Sequence, residues 1–410
     1  MIKKRLAFID HPFHLKTKSS HFFVDFLSES FNVDVFHLDS DPRDQLLLIK
    51  NNNYDFIICW QTEFCSPFFI LNNIPVICIP MYDGVENMPD WYWASMNKSR
   101  FICFSKTLHF RLKKLGIDTC YVQYYGDGKP ETHQVEFDTL RGFFWQRRPE
   151  EGLDYKFARH VFRKSSSNPR SMLRHIAEKN YDNGLILSSL HIHNAPDSED
   201  FADWEPDFTC SVSYFADNAN QYKKCLKKAN VFLCPRKTEG IGLAMIEALS
   251  IGMLVIAHDA PTANEYIVNG VNGLLIDYDH PPFLDLDIVS AKMMGEKARE
   301  VALKKCQEWT TQKSYLIFFI STTPLLLYEP SMIKYLPLYL DACSLYYVNH
   351  PRFMLNLQNM VRSGFMNSDP KTISQLHRIS FRVKTIPGLL YIYRLFRALV
   401  RKSKMLLRFR

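Results

Sequence analysis

The feature that most constrains the fold is an alternation of short apolar runs with helix-forming stretches, which occurs twice along the 410 residues. In the first series, helical patterns lie near residues 20–30, 43–51 and 106–116. Strands rich in Ile, Val, Phe and Cys that alternate with helices predict a parallel sheet covered on both faces. The predicted strands of this series are "RLAFI", "VDVFHL", "DFIICW", "PVICIP", "RFICFS" and "CYVQYY".

The alternation restarts after a Gly- and Pro-containing loop at Gly126–Glu136, which is typical of a linker. Two doubly wound α/β domains are therefore predicted, at residues 1–130 and 137–310, with ligands bound outside the carboxyl ends of their strands. Residues 311–388 depart from the pattern and predict a helical extension broken by prolines. The second series has predicted strands "LRGFFWQ", "LILSSLHI", "FTCSVSYF", "VFLCP", "MLVIAHD" and "GLLIDY", and predicted helices near Leu153–Lys164, Asn168–Asn180 and Ser290–Glu308 and at "ANQYKKCLKKA" and "LAMIEALSIG".

Composition excludes a disordered or fibrous chain, because 47% of the residues are hydrophobic and 23% are charged. The ten cysteines are scattered without a Cys-x-x-Cys pair, which indicates reduced thiols in a reducing compartment. The start "MIKKRLAFIDHPF" has too short an apolar stretch for a secretory signal and predicts a first strand. The longest apolar run, Tyr315–Tyr328, is interrupted and too short to span a bilayer, so we expect a cytoplasmic protein.

Two carboxylates stand out in "PRKTEGIGLAMIEALSIGMLVIAHD", which follows a predicted strand. Glu239 lies in the turn, and Glu247 lies inside an otherwise apolar helix that begins after Gly242. Glycines in the turn and the free N–H groups of a helix start favour an anion. Eight helical residues span about 12 Å, roughly the reach of a nucleotide sugar. From spacing alone, the alternative is that Glu247 pairs with a neighbouring helix.

Residues 239–277, "EGIGLAMIEALSIGMLVIAHDAPTANEYIVNGVNGLLID", resemble the signature region of the retaining nucleotide-sugar glycosyltransferases of the GT-B class (group 1, family 4-like). Their Glu-x7-Glu pair, the later Glu265 and the Asn-Gly-x-x-Gly-x-Leu turn fall in register. The alternating pattern extends the resemblance over residues 1–320. It implies a GT-B fold: two Rossmann-like domains facing across a cleft, here with the helical extension added.

The resemblance also implies roles for individual residues. Glu239 would act at the anomeric carbon of the donor sugar, Glu247 would hold the ribose, and Glu265 would belong to the donor site. The departing diphosphate would help to deprotonate the acceptor, so neither a cofactor nor a metal is expected, and cationic side chains would offset the phosphate charge. The residues expected to line the pyrophosphate are Gly240, Ile241 and Gly242.

The phosphate clamp departs from the family's Gly-Arg-x4-Lys-Gly pattern. The chain has "GFFWQRRPEEGLD", with Glu151 in place of the lysine. We expect Arg147 to take the catalytic position, with Arg148 beside it, although two adjacent arginines are ordinarily just solvated. Arg236 and Lys237, just ahead of the turn, are the candidates to replace the lost lysine.

Other candidate residues follow predicted strands. His11, His14 and Lys16 come after the first strand and are expected to bind the acceptor. Asp83, in "PMYDGVEN", could orient the acceptor or simply cap a turn. His193 lies in "SLHIHN", where we expect it near the nucleotide base. Two Asp-x-Asp triplets, which begin at residues 39 and 285, lack the remaining architecture of a metal-dependent transferase, and we expect no metal.

The last residues carry the excess of positive charge. Residues 371–410 contain eleven Lys and Arg and no Asp or Glu, while the rest of the chain has 39 basic and 43 acidic residues. In residues 389–410, basic side chains recur at steps of 3 and 4 opposite an apolar face. This pattern predicts a helix lying on an anionic membrane, although docking on the protein or a nucleic-acid patch is the alternative. We expect membrane contact and no nucleic acid.

Together these features predict a retaining glycosyltransferase at the inner face of the cell membrane. It would move a sugar from a nucleotide-sugar donor to a saccharide or lipid-linked saccharide, in bacterial surface polysaccharide (lipopolysaccharide, O-antigen or capsule) synthesis. One alternative is a phosphorylase or epimerase on the same scaffold. Another is a catalytically lapsed sugar- or nucleic-acid-binding protein, which the altered phosphate clamp keeps open.

Overall fold

The structure is a computed structural model, and its residues fall into two compact units. The first unit comprises Met1–Cys103, Leu108–Tyr121 and the chain from Tyr315 onwards, and the second comprises Phe104–Thr107 and Val122–Ser314. The described residues are 3–38, 41–126, 132–146, 157–158, 161–164, 185–194, 210–215, 219–282, 284, 286–328, 330–337 and 340.

The first unit is built on a parallel sheet of six strands in the order β2-β1-β3-β4-β5-β6. Its central strands are buried along nearly their whole length, as their continuous apolar sequences predict for a sheet covered on both faces. The strands are β1 (Arg5–Asp10), β2 (Asn32–His37), β3 (Phe56–Trp60), β4 (Val76–Ile79), β5 (Arg100–Cys103) and β6 (Thr119–Tyr121).

Helices connect these parallel strands. The predicted helices near residues 20–30, 43–51 and 106–116 are present as α2, α3 and α7, and short helices that the sequence reading did not predict lie between them. The helices of this part of the chain are α1 (His14–Thr17), α2 (His21–Ser28), α3 (Arg43–Asn51), α4 (Ser66–Leu71), α5 (Tyr82–Val85), α6 (Asp90–Ala94) and α7 (Lys106–Lys114), with a 3-10 turn at Glu63–Cys65.

The second unit has its own parallel six-stranded sheet, in the order β11-β10-β7-β12-β13-β14. A separate pair of parallel strands, β8 and β9, lies outside this sheet. The strands are β7 (Arg141–Gln146), β8 (Phe162–Lys164), β9 (Leu185–Leu187), β10 (Ser189–Asn194), β11 (Cys210–Tyr214), β12 (Val231–Leu233), β13 (Leu254–His258) and β14 (Leu274–Ile276).

Two helices of the second unit position its candidate site. The connections β11-α8-β12 and β12-α9-β13 both cross the sheet in the same direction, so right-handed crossovers place α8 and α9 on one face. These helices are α8 (Ala219–Leu226) and α9 (Leu243–Ser250), followed by α10 (Ala263–Tyr266) and α11 (Ile288–Ser321), with a 3-10 turn at Pro330–Tyr335.

The predicted fold class, a two-domain α/β GT-B fold, is confirmed by these two sheets and their helices. Three local predictions were wrong. The predicted helix near Leu153–Lys164 ends in strand β8, "LILSSLHI" is split into β9 and β10 at a bend, and α11 runs thirteen residues beyond Glu308. The predicted helix at Asn168–Asn180 lies outside the described residues. None of the helices in the described ranges combines the length and the hydrophobicity that a membrane-spanning segment needs.

Candidate functional site

The candidate site begins at the tight turn that connects β12 to the start of α9. Gly242 caps α9 with a left-handed backbone (φ 78°), which any other residue adopts only with strain. A Cβ atom there would lie 3.0 Å from Cε of Met245 and 3.7 Å from Cβ of Glu239. Gly242, the N-cap residue of α9, makes no side-chain cap hydrogen bond. The first-turn N–H groups of a helix favour an anion.

Glu239 is half-buried in this turn, where the hydroxyl of Thr262 donates to its backbone carbonyl oxygen (2.6 Å). Its carboxylate lies near two buried groups, Cys234 and Tyr278. Burial raises the pKa of the Cys234 thiol and that of the Tyr278 hydroxyl well above their ordinary values, and the negative charge of Glu239 raises both further. The carboxylate of Glu239 therefore lies at the boundary between the protein surface and the buried sheet.

Glu247 lies one turn into α9 and is half-buried among apolar neighbours on the same helix. Tyr222, on α8, is next to it. Burial first, and then the charge of Glu247, raise the pKa of the Tyr222 hydroxyl well above its ordinary value. The two carboxylates predicted to hold the donor thus lie on either side of Gly242 along the chain, and both act on buried hydroxyl or thiol groups.

Of the four predicted cations, two are described. The Nζ atom of Lys237 lies 2.5 Å from a carboxylate oxygen of Asp279, and this hydrogen bond lowers the pKa of Asp279. Lys237 would have to leave that ion pair to reach a phosphate, so its catalytic role stays a prediction. Arg236 is half-buried beside it in the turn. Arg147 and Arg148 lie outside the described residues.

Glu265, on α10, has its carboxylate engaged by donors of its own unit. It accepts hydrogen bonds from the Ser105 hydroxyl (3.1 Å) and from the backbone N–H groups of Lys106 (2.7 Å) and Thr107 (3.3 Å). Contacts of this kind satisfy N–H groups that have no partner within a helix. The donor-site role predicted for Glu265 has no support from these contacts and stays a prediction.

His193 is buried, with 2% of its surface exposed, and its Nδ1 atom is 2.7 Å from the Ser213 hydroxyl. The same hydroxyl lies 2.8 Å from Nε2 of His191. Burial first, and then the neighbouring His191, lower the pKa of His193 to about 4, so its ring is neutral at pH 7. Burial also lowers the pKa of His191. His193 packs against Tyr222, which is next to Glu247.

In the first unit, the predicted acceptor residues meet a buried carboxylate that the sequence reading missed. Asp10, the fully buried last residue of β1, accepts hydrogen bonds from the hydroxyl of Ser20 (2.5 Å) and the backbone N–H of His11 (2.8 Å). Nδ1 of His14 lies 2.6 Å from the same carboxylate, and Nε2 of His37 lies 3.6 Å away. An accepting carboxylate fixes the tautomer of His14, with Nδ1 protonated.

The remaining predicted acceptor residues lie at the same edge of the first sheet. Lys16 is exposed on α1, and Nδ1 of His11 accepts a hydrogen bond from the backbone N–H of Phe13 (3.1 Å). Asp83, in the first turn of α5 after β4, accepts one from the backbone N–H of Gly84 (3.0 Å). These positions follow the carboxyl ends of β1 and β4, where doubly wound sheets bind ligands.

Asp10 and Tyr222 are the main residues that the sequence reading missed. Asp10 had a signal, because a carboxylate that ends an apolar strand and precedes two histidines is costly to bury without donors. Tyr222 had none, because its neighbours Glu247, Trp145 and His193 come from three other elements. In the described part of the chain, no group of three His, Cys, Asp or Glu side chains is arranged to hold a metal ion.

The two sheets and their helices define a GT-B fold, and α8 and α9 lie in a segment that matches a known family. Residues 212–282, which contain both Glu239 and Glu247, match the model of the family described as "Glycosyl transferases group 1". The resemblance predicted from the sequence is thereby confirmed for the fold and for this segment.

The chain is also similar to proteins of known identity, over a short segment in sequence and more widely in structure. The chain is 34% identical over 59 residues to an alpha-maltose-1-phosphate synthase of Mycobacterium tuberculosis, which is 14% of this chain and 15% of that protein. The match to these curated relatives thus spans less than a sixth of their length. Sucrose-phosphate synthase from Thermosynechococcus elongatus superposes with a TM-score of 0.52 at 12% identity, over 78% of this chain and 100% of that one. HepE of Anabaena, solved with UDP and glucose, gives 0.48 at 12% identity, over 76% and 99%.

Proposed function

We propose that the chain is a retaining glycosyltransferase whose nucleotide-sugar donor binds to the second unit. The diphosphate lies over the start of α9, Glu239 contacts the sugar, and Glu247 accepts hydrogen bonds from the ribose hydroxyls. Each carboxylate can accept from a vicinal diol, which offsets the cost of its partial burial. Membership of residues 212–282 in the group 1 segment supports this placement.

The observation that carries the proposal is the geometry of one turn. Gly242 takes a left-handed conformation that only glycine adopts without strain, and it starts a helix whose N-cap residue makes no side-chain cap hydrogen bond. Glu239 precedes that start and Glu247 follows it, and both are half-buried. A helix start that favours an anion, with a carboxylate acceptor on either side of it, matches a nucleoside diphosphate sugar.

Transfer with retention needs no protein base. The bond from the anomeric carbon to the diphosphate oxygen breaks, and its electron pair leaves with the diphosphate. The acceptor oxygen bonds to that carbon from the same face and gives its proton to the departing diphosphate. The N–H groups of α9 and the cations Arg236 and Lys237, with Arg147 and Arg148 in addition, stabilise the leaving charge, so that no metal or other cofactor is required.

The acceptor is a saccharide or a lipid-linked saccharide, and it binds to the first unit near His11, His14, Lys16 and Asp83. The basic and apolar faces of residues 389–410 support a position on an anionic membrane surface. This combination suits the synthesis of bacterial surface polysaccharide at the inner face of the cell membrane. Residues 389–410 lie outside the described residues, and this part of the proposal rests on their sequence alone.

The first experiment is transfer by Glu239→Gln, assayed with the donor that a thermal-shift panel of nucleotide sugars identifies. We expect turnover to fall at least about a hundredfold, as on removal of a group that acts in the transition state, with the melting temperature unchanged. Near-normal turnover would remove Glu239 from the mechanism. NMR of the glycoside formed by the unaltered enzyme tests retention, because a product of inverted anomeric configuration contradicts it.

A further inference from the structure

Tyr222 closes an aromatic cluster on the face of the second sheet that α8 and α9 cover. Its ring centroid lies 5.0 Å from that of Trp145, 5.4 Å from that of His193 and 5.9 Å from that of Phe143. Trp145 and His193 also contact each other edge to face, with their ring centroids 5.5 Å apart. Tyr222 is therefore held by strands β7 and β10 as well as by its own helix, so its hydroxyl has a fixed position.

Two hydrogen-bond donors of this cluster have no hydrogen-bond partner among the described residues. The hydroxyl of Tyr222 and the indole N–H of Trp145 are buried, and neither makes a hydrogen bond within the described residues. Buried Tyr and Trp side chains usually place these groups on a partner, because an unmade buried hydrogen bond costs about 1–3 kcal/mol. A bound molecule that accepts from them would remove this cost.

Glu247 supplies the acceptor that faces Tyr222. The carboxylate is near enough for its charge to act on the hydroxyl, whose pKa it raises in addition to the larger effect of burial. They nevertheless fall outside the geometry of a direct hydrogen bond. A hydroxyl group of a ligand both donates and accepts, so it can join a tyrosine donor to a carboxylate acceptor.

We propose that Tyr222 and Glu247 bind the same ribose hydroxyl. Tyr222 donates a hydrogen bond to the oxygen of this hydroxyl, and the hydroxyl donates its own proton to the carboxylate of Glu247. This inference rests on the proposed function, which brings a nucleotide to Glu247, and it adds a second protein group to the ribose site. His193 acts as a positioning residue, because its neutral ring, bonded to Ser213, packs against Tyr222. The ligand class is a ribonucleoside diphosphate with an intact sugar diol.

The test compares nucleotides that differ only in the ribose. Calorimetry with the full chain gives the dissociation constants of UDP, GDP and ADP, and then those of the 2′-deoxy and 3′-deoxy forms of the one that binds most tightly. Tyr222→Phe removes only the hydroxyl. We expect this variant to bind the ribonucleotide about tenfold more weakly than the unaltered protein, the effect of one hydrogen bond in a charged pair. The deoxy form that lacks the shared hydroxyl should bind the variant and the unaltered protein with equal affinity.

The outcomes separate this inference from the proposed function. An equal loss for the ribonucleotide and both deoxy forms would show that Tyr222 only shapes the pocket, which overturns the shared hydroxyl. If the unaltered protein binds none of the three diphosphates, the proposed function fails and this inference fails with it. Tyr328→Phe is the matched control, because that buried hydroxyl donates to the Ser95 carbonyl in the first unit (2.9 Å). It should lower the melting temperature and leave all the dissociation constants unchanged.

Discussion

At the scale of single residues, three carboxylates are fully or partly buried, each in a different environment. Asp10 is surrounded by donors, and Glu247 faces a tyrosine hydroxyl. Glu63, in the first unit, is 1% exposed, and the hydroxyl of Tyr92 donates to its Oε1 atom (2.8 Å). Its Oε2 atom has no hydrogen-bond partner in the described part of the chain. Burial accordingly raises the pKa of Glu63 above its ordinary value of 4.5.

This raised pKa makes the stability of the protein depend on pH. The folded state prefers protonated Glu63, so its contribution is fully present below pH 4.5 and is lost as the pH rises through the higher pKa of the folded protein. Glu63→Gln removes the ionisation and keeps the hydrogen bond to Tyr92. We expect the variant to be more stable at pH 8, on the order of 1 kcal/mol, and the difference to vanish near pH 4.

Chemical denaturation of the two proteins at pH 4, 6 and 8 measures this difference. Asp34→Gln is the control, because Asp34 is half-exposed in an ion pair with Arg5. Replacing an exposed carboxylate should lower the stability slightly at neutral pH. A Glu63→Gln variant that is equally stable relative to the unaltered protein at all three pH values would mean that Glu63 is not held protonated.

At the scale of elements, the sequence predicted the strands well because parallel strands buried on both faces have continuous apolar sequences. β3 and β4 are examples. The turn from β12 to α9 was also predicted, because glycines mark it. The failures come from tertiary pairing. Phe162–Lys164 forms a strand because it pairs with Leu185–Leu187, a partner that no local pattern reveals. The sequence alone predicts a helix that ends near Glu308 and a separate helical extension from residue 311, whereas α11 runs from one into the other without interruption.

The turn before α9 can be tested through its glycine. Gly242→Ala forces a Cβ into a left-handed backbone and against Met245 and Glu239. We expect a loss of stability of about 1–2 kcal/mol and at least tenfold weaker binding of a nucleoside diphosphate, because the turn shifts. Differential scanning fluorimetry and calorimetry measure the two effects.

Gly116→Ala is a matched control for Gly242→Ala. Gly116 has a similar backbone (φ 72°), but a Cβ there would meet no atom within 4 Å. It should lose a similar amount of stability through backbone strain and bind the nucleotide normally. Equal nucleotide binding by both variants would mean that the turn at Gly242 does not contact the diphosphate.

At the scale of the whole molecule, positive charge is concentrated in one stretch of sequence. Residues 389–410 contain seven Lys and Arg and no acidic residue, whereas residues 1–370 carry a net charge of −4. Each basic residue near an anionic leaflet contributes about 1 kcal/mol of binding free energy. A chain with a weakly acidic body and a basic, amphipathic end should therefore bind anionic membranes through that end alone.

Co-sedimentation with vesicles tests this distribution of charge. The full chain should sediment with vesicles of phosphatidylglycerol and phosphatidylcholine, and binding should weaken as salt screens the charges. A chain truncated after Gly388 should stay in the supernatant and keep its nucleotide affinity, since Glu239 and Glu247 lie in another part of the sequence. Replacing Arg394, Arg397 and Arg401 by Gln keeps the apolar face and should reduce binding to anionic vesicles without changing binding to neutral ones. Unchanged sedimentation of the truncated chain would place the membrane contact elsewhere, and the apolar face of this stretch would then belong against the protein.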